Sequence, residues 1–188
     1  MNKGKVIIIC APSGTGKSTL ISMTLDRFPQ LMESISTTTR PIRKGEVEGQ
    51  DYFFTTESEF KKNIDKLIEW AKVHGNYYGT SKKFIEDNLN QGKFILCDLD
   101  IQGCDNFNKV YPNDVKIIFI SPPSLEELEI RLRKRGTESE ESIKTRLANA
   151  RIEMKRKNDF DFQIVNNDLN RAFSDLENII ATILKGSS

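Results

Sequence analysis

The stretch Ala11-Pro12-Ser13-Gly14-Thr15-Gly16-Lys17-Ser18-Thr19 follows an unbroken apolar run, Val6-Ile7-Ile8-Ile9-Cys10, and precedes a helical spacing of Leu20, Leu25 and Phe28. Strand, glycine-rich turn and helix in that order make a phosphate cradle. Gly14 and Gly16 let the backbone turn with its N–H groups inward, and the helix adds its positive N-terminal end. Lys17 supplies a mobile cation, and Ser18 a hydroxyl for Mg²⁺. The expected ligand is a nucleoside triphosphate, with residues 11 to 19 around its phosphates. One position departs from the G-x-x-x-x-G-K-[ST] pattern: Ala11 stands for the first glycine, which Ala fills as long as φ stays negative.

Outward from the cradle, strand-like runs recur at Val6 to Cys10, Phe94 to Cys97, Val115 to Ile120 and Phe162 to Val165, with helical patterns between them. This alternation predicts an α/β fold built on a parallel sheet. Leu125, Leu128 and Leu132 share one helical stripe that ends at Gly136. A second stripe starts near Ser139 with Ile143, Leu147, Ala150 and Met154, so two amphipathic helices meet at Gly136-Thr137. The last helix runs from Leu169 to Leu184, with Phe173, Leu176, Ile180 and Ile183 inward. From about Ser34 to Gln91 the rhythm breaks: the segment is rich in Thr, Arg, Gly, Glu and Tyr, with short strand candidates at Tyr52 to Phe54 and Ile68 to Lys72. An inserted subdomain meeting a second ligand explains this, and so do surface loops.

The 188 residues suit one domain with a real core. Basic and acidic residues, 28 and 27, leave a net charge of +1, which argues against general affinity for nucleic acid or anionic membrane. No secretory pattern opens the chain and no apolar run approaches the ~18 residues of a membrane helix, so a cytoplasmic protein is expected. Cys10, Cys97 and Cys104 lack C-x-x-C spacing and two lie in strand runs, which reads as reduced core thiols. The single His74 builds no metal site.

Arg40 and Arg43 lie among Ser36, Thr37, Thr38 and Thr39, where guanidinium forks and hydroxyls suit a monophosphate; a solvated basic loop has the same composition. Tyr52 and Tyr78 either donate to that phosphate or pack. Asp98 ends an apolar strand where a parallel sheet opens its crevice, and could orient Mg²⁺ through water. Glu69 and Asp100 accept hydrogen bonds only, which fits guanine N1–H and N2–H₂ and repels adenine N1; helix capping is the alternative for each of these carboxylates. Arg131, Lys134, Arg135 and Arg146 straddle the helix joint, either as a solvated face or as cations for a transferring phosphoryl group.

Together these segments resemble guanylate kinases, from Val6 to Leu169. The resemblance is carried by residues 11 to 19, STTTRPIRKGEVEGQDY (36 to 52), EWAKVHGNYYGT (69 to 80), DLDIQG (98 to 103), RGTESEESIKTR (135 to 146) and VNNDL (165 to 169). It implies a P-loop nucleoside monophosphate kinase core of residues 1–35, 92–124 and 157–188, a GMP-binding subdomain at 36–91 and a helical lid at 125–156. It further implies Mg²⁺-dependent transfer of the ATP γ-phosphoryl group to GMP, and also dGMP, in purine nucleotide metabolism, by a monomer or homodimer without nucleic-acid or membrane partners.

By that resemblance Ser36, Arg40, Arg43, Tyr52 and Tyr78 hold the GMP phosphate, and Glu69, Thr80 and Asp100 hold guanine. Lys17, Arg40, Arg131, Arg135 and Arg146 serve the transfer, Ser18 and Asp98 the metal, and Asn166 lies near adenine. Ile42, Thr80 and Asn167 stand where proline, serine and aspartate are usual. Related domains also occur as non-catalytic phosphopeptide-binding modules, against which Lys17, Ser18 and the lid arginines speak. A kinase for another small phosphorylated acceptor is the nearer alternative, and Glu69 with Asp100 argues against it.

Overall fold

The computed structural model describes residues 4–73, 75–136 and 139–186, so His74 and Thr137 of the helix joint lie outside the described residues. Five parallel strands form the main sheet: β1 (Val6–Cys10), β2 (Leu31–Glu33), β7 (Phe94–Asp98), β8 (Val115–Ser121) and β9 (Phe162–Val165), in the order β2-β7-β1-β8-β9. All five residues of β1 are buried, as a central strand covered on both faces requires, and its β-branched residues suit that environment.

Alternation along β1 divides the core. Val6, Ile8 and Cys10 point with Ile95, Cys97, Ile117 and Phe119 into one layer, and Ile7 and Ile9 point with Leu96, Ile118 and Ile120 into the other. The first layer is closed by α3 (Lys82–Asn90), through Ile85 and Leu89, and by α4 (Ile101–Val110), through Ile101, Cys104 and Phe107. The second is closed by α1 (Lys17–Arg27) and α7 (Leu169–Lys185). In α7 the buried stripe is Ala172, Leu176, Ile180 and Ile183. Phe173, expected inward, is only partly buried beside it. The three cysteines are free and buried in the first layer, where desolvation pushes the Cys97 thiol up to about 12.

A second sheet interrupts the βαβ rhythm: β3 (Thr37–Thr38), β4 (Phe53–Phe54), β5 (Leu67–Val73) and β6 (Asn76–Ser81), in the order β4-β3-β6-β5. Helix α2 (Glu57–Lys62) connects β4 towards β5. A register shift between Leu67 and Glu69 sets Glu69 directly opposite Thr80 on the antiparallel neighbour β6. Ile68, on the other face of β5, is buried in the first core layer beside α4, which ties this sheet to the main one.

After β8 come α5 (Leu125–Arg135) and α6 (Glu140–Lys155), with Leu128, Leu132, Ile143 and Ala150 buried between them. At the foot of α6, Arg156 grips Asp105 of α4 with two hydrogen bonds of 2.8 and 2.9 Å and donates to Asp159 at 2.9 Å. The α/β class expected from the sequence is thus the observed one, and all four expected main-sheet strands form. β2, β3 and β6 are additional.

Candidate active site

Among the described residues, six of seven α-helices begin with a side chain that accepts the amide of the third helical residue: Thr56, Ser81, Asp100, Ser124, Ser139 and Asp168. Helix α1 does not. It starts at Gly16, in the left-handed region at φ +96°, with no side-chain cap, and its first amides face the loop of residues 11 to 16. Such an end takes an anion. Gly14, also at φ +96°, is pressed from the other side: a Cβ there would come within 2.8 Å of Leu132 and 3.1 Å of Leu128 on α5. Thr15 is buried, its hydroxyl donating to the Pro12 carbonyl at 2.6 Å. Ala11 is half-buried against the α1/α7 layer, and Ser13, Ser18 and Thr19 are exposed.

The Lys17 ammonium meets the Asp98 carboxylate at the end of β7 and lies 3.4 Å from the Leu99 carbonyl. The expected metal residues are thus a hydroxyl, Ser18, in the first turn of α1 and a carboxylate, Asp98, engaged by Lys17, and no group of three or more His, Cys, Asp or Glu forms a metal cage among the described residues. That donor set fits Mg²⁺, which keeps water and substrate phosphate oxygens rather than an all-protein cage.

Beside Lys17 and Asp98 opens a cavity of about 550 Å³ between the two sheets. Ser36, Tyr52, Glu69, Tyr78, Thr80 and Asp100 line it, so six of the eight residues expected around the second substrate converge here. Thr80 is 1% exposed and donates to Glu69 at 2.6 Å. Burial pushes the Glu69 carboxyl up, with the Asp100 charge adding to the shift and the Thr80 hydrogen bond opposing it. Asp100 uses one oxygen to cap α4, accepting from Gly103 N at 2.8 Å, so capping and cavity lining are properties of the same side chain. Glu33 and Asp51 also line the cavity, and burial followed by the Asp98 and Asp51 charges pushes the Glu33 carboxyl up.

The two arginines of the 36–52 segment do not line that cavity. Arg40 is held by Glu46 in a bidentate pair of 2.7 and 3.0 Å, and its guanidinium lies 5.3 Å from the centre of the Tyr52 ring. It thus stands behind Tyr52, whose ring neighbours Tyr78 at 6.0 Å. Arg43 is exposed; its backbone N–H donates to the Glu46 carboxylate at 2.7 Å and its carbonyl accepts from the Glu46 N–H at 3.1 Å. Glu46 is the residue that sequence reasoning passed over, although it was the one carboxylate in a run with Arg40, Arg43 and Lys44. The Arg40 hydrogen bonds, with the Arg43 amide behind them, hold its carboxyl below the usual carboxylate value.

Both helices after β8 touch the phosphate loop. Arg146 on α6 meets the Ser13 hydroxyl. Arg131 on α5 donates to the Asn166 carbonyl at 2.9 Å and, with Lys134, lines a cavity of about 350 Å³ beside Gly14, Gly16, Thr19 and Asn166. The Asn166 carboxamide itself donates to the Thr15 carbonyl at 2.7 Å. The Arg135 side chain lies outside the described residues. Glu153 of α6, unremarked in the sequence, lines a cavity with Ser13 and Arg146. Burial and then the Asp100 charge push its carboxyl up, while Lys17 opposes.

Comparison with known proteins gives a consistent picture. A guanylate kinase family model matches residues 3–183. The guanylate kinase of Synechocystis sp. is 45% identical over 180 residues, covering 95% of this chain and 94% of its own, and that of Rickettsia felis is 46% identical over 181 residues with the same coverage of each chain. The crystal structure of guanylate kinase from Anaplasma phagocytophilum superposes with a TM-score of 0.70 at 33% identity, covering 97% of this chain and 87% of that one.

Proposed function

The chain belongs to the guanylate kinase family, and from that premise we propose a working role for each part of its site. The protein is a nucleoside monophosphate kinase, an ATP:GMP phosphotransferase. Residues 36–91 act as the GMP-binding subdomain, 125–156 as the lid, and 1–35, 92–124 and 157–188 as the core. The observation that carries the acceptor assignment is the cross-strand pair of Glu69 and Thr80 facing the same cavity as Asp100. Carboxylates there accept from guanine N1–H and N2–H₂, whereas adenine N1 would face a lone pair.

Charge also sets the nucleotide's direction in the cavity. Among the described residues, Glu33, Asp51, Glu69, Asp98 and Asp100 line it against a single cation, Lys17. A phosphate dianion is repelled from the base end and settles at Ser36, Tyr52 and Tyr78, with Arg40 behind Tyr52 and Arg43 within the same loop. The triphosphate of ATP lies in the loop of residues 11 to 19 against the uncapped end of α1. Lys17, Arg40, Arg131, Arg135 and Arg146 compensate the charge that spreads over the transferring group. The acceptor is a phosphate oxygen largely ionised at neutral pH, so no general base is required. Ser18, and Asp98 through water, would hold Mg²⁺, which when bound neutralises charge on the phosphates.

Lys17 leaves Asp98 for the phosphates when ATP arrives, so the same carboxylate that parks the lysine becomes free as the nucleotide enters. Closure of the two mobile parts then excludes water, which would otherwise take the phosphoryl group. We place the protein in the cytoplasm, in keeping with three free buried thiols and no membrane-spanning helix among the described residues. Coupled measurement of ADP formation with GMP, dGMP, AMP, CMP and UMP tests the assignment. Turnover should be confined to GMP and dGMP, and a preference for AMP or a pyrimidine nucleotide would overturn it.

A further inference from the structure

Asn166 follows β9 and is 4% exposed, a buried amide that edges the cavity beside Arg131 and Lys134 and bonds to the phosphate loop. Its backbone N–H extends the sheet to the Ser121 carbonyl at 2.8 Å, and its own carbonyl receives Arg131 at 2.9 Å. Its side-chain nitrogen donates to the Thr15 carbonyl at 2.7 Å. The same nitrogen lies against Gly16, where a Cβ would come within 2.7 Å of it.

These contacts act on one peptide unit. In a trans peptide the N–H points opposite to the C=O, so a donor that pins the Thr15 carbonyl towards β9 turns the Gly16 N–H away from β9. Thr15 is fixed from its other end as well, by its hydroxyl and its N–H on the Pro12 carbonyl at 2.6 and 3.2 Å. The Thr15 side of the unit is therefore held on the residue and on its carbonyl, and Asn166 supplies the only side chain on the Thr15 carbonyl among the described residues.

We propose that Asn166 is a positioning residue for the phosphate loop: its carboxamide nitrogen aims the Gly16 amide at the bound phosphates. The proposal rests on the kinase reading given above, because it assumes a triphosphate in the loop. It gives this residue a task besides the adenine contact expected of it. It also explains why an amide is required. Aspartate has the same shape but would set a carboxylate oxygen against a carbonyl oxygen, and alanine would leave the buried carbonyl without its donor.

The test separates phosphate from base. Binding of ATP, GTP, inorganic tripolyphosphate and GMP is measured by calorimetry on the full chain for the parent, Asn166→Ala and Asn166→Asp, alongside ATP- and GTP-dependent turnover. Without its donor the Thr15–Gly16 unit must be ordered when phosphates bind, which should weaken tripolyphosphate, and ATP at least as much, about tenfold for Asn166→Ala. The loss should be greater for Asn166→Asp, with GMP binding unchanged.

A loss for ATP without one for tripolyphosphate would make Asn166 a base contact and overturn the proposal. So would unchanged affinities, or a parallel loss of GMP binding, which marks a general defect of the fold. Tripolyphosphate binding does not depend on which acceptor is phosphorylated. Failure of the acceptor assignment would appear as absent GMP turnover in the parent, so the two outcomes are distinguishable.

Discussion

Replacing Glu69 by Gln should make the free protein more stable and the enzyme worse. The buried Glu69 carboxyl is held above its ordinary value of 4.5 chiefly by desolvation, and then by the charge on Asp100. A carboxyl whose folded value is raised binds its proton more tightly in the folded state than in the unfolded one. Its contribution to stability is therefore intact below pH 4.5 and is lost as the pH rises through the shifted value. Glutamine carries no such cost, and its amide oxygen still accepts from the Thr80 hydroxyl, which donates to Glu69 at 2.6 Å. The melting temperature of Glu69→Gln, measured without ligand, should exceed that of the parent at pH 7, and the gap should close as the pH falls towards 4.5.

Against this gain stands the loss of a charged acceptor for guanine. A hydrogen bond to a charged group is worth about 1.5–3 kcal/mol, which at 1.4 kcal/mol per factor of ten is roughly a 10- to 150-fold fall in kcat/KM for GMP. With Thr80 holding the amide oxygen, the new NH₂ group can donate to adenine N1, so the preference for GMP over AMP should narrow. Thermal melts over a pH series and steady-state rates with both nucleotides check the two halves. A variant that is less stable at pH 7 and as selective as the parent would show that Glu69 neither bears a desolvation cost nor reads the base.

Two further outcomes are expected. Lys17→Ala should leave GMP affinity near that of the parent while turnover falls on the order of 10³-fold, because a cation for the transition-state charge is lost; calorimetry beside kinetics would expose a mistaken assignment as near-normal turnover. A bisubstrate analogue joining adenosine to guanosine through phosphates should reduce the radius of gyration in small-angle scattering. The swing should fall mainly to the second sheet, since α5 already rests on Gly14, and an unchanged radius at saturation would count against closure.

The main sheet was legible because its strands are long apolar runs whose burial the residues themselves announce, Val6 to Cys10 above all. Three strands escaped notice for a different reason. β2 has three residues and β3 two, too short to show a period, and β6 reads Asn-Tyr-Tyr-Gly-Thr-Ser, without the aliphatic alternation that marks a strand. Its pairing with β5 depends on a register shift that no spacing reveals.

At the site, the phosphate loop was visible because its function lies in the backbone and glycine marks where the backbone must turn. Roles that depend on contacts across the chain were not. Glu46 holds Arg40 through a loop fold, and Asn166 reaches Thr15 across 151 positions. Asp100 was read as either a cap or a ligand. Capping leaves one of its oxygens uncommitted, so the two readings were never exclusive.

The position of the three cysteines gives the molecule a built-in clock. Cys10, Cys97 and Cys104 lie at 0%, 1% and 0% exposure inside one layer of the main sheet, and their surroundings disfavour the thiolate of Cys97 and of Cys104. The thiolate, not the thiol, attacks an alkylating reagent. Cys97 lines the cavity between the sheets and shares its layer with Ile68 of the second sheet, so a swing of that sheet bears on Cys97, whereas Cys10 and Cys104 meet between β1 and α4. Exposing those two requires β1 to part from α4. The alkylation rate of Cys10 and Cys104 thus counts openings of the core, while that of Cys97 also follows the second sheet.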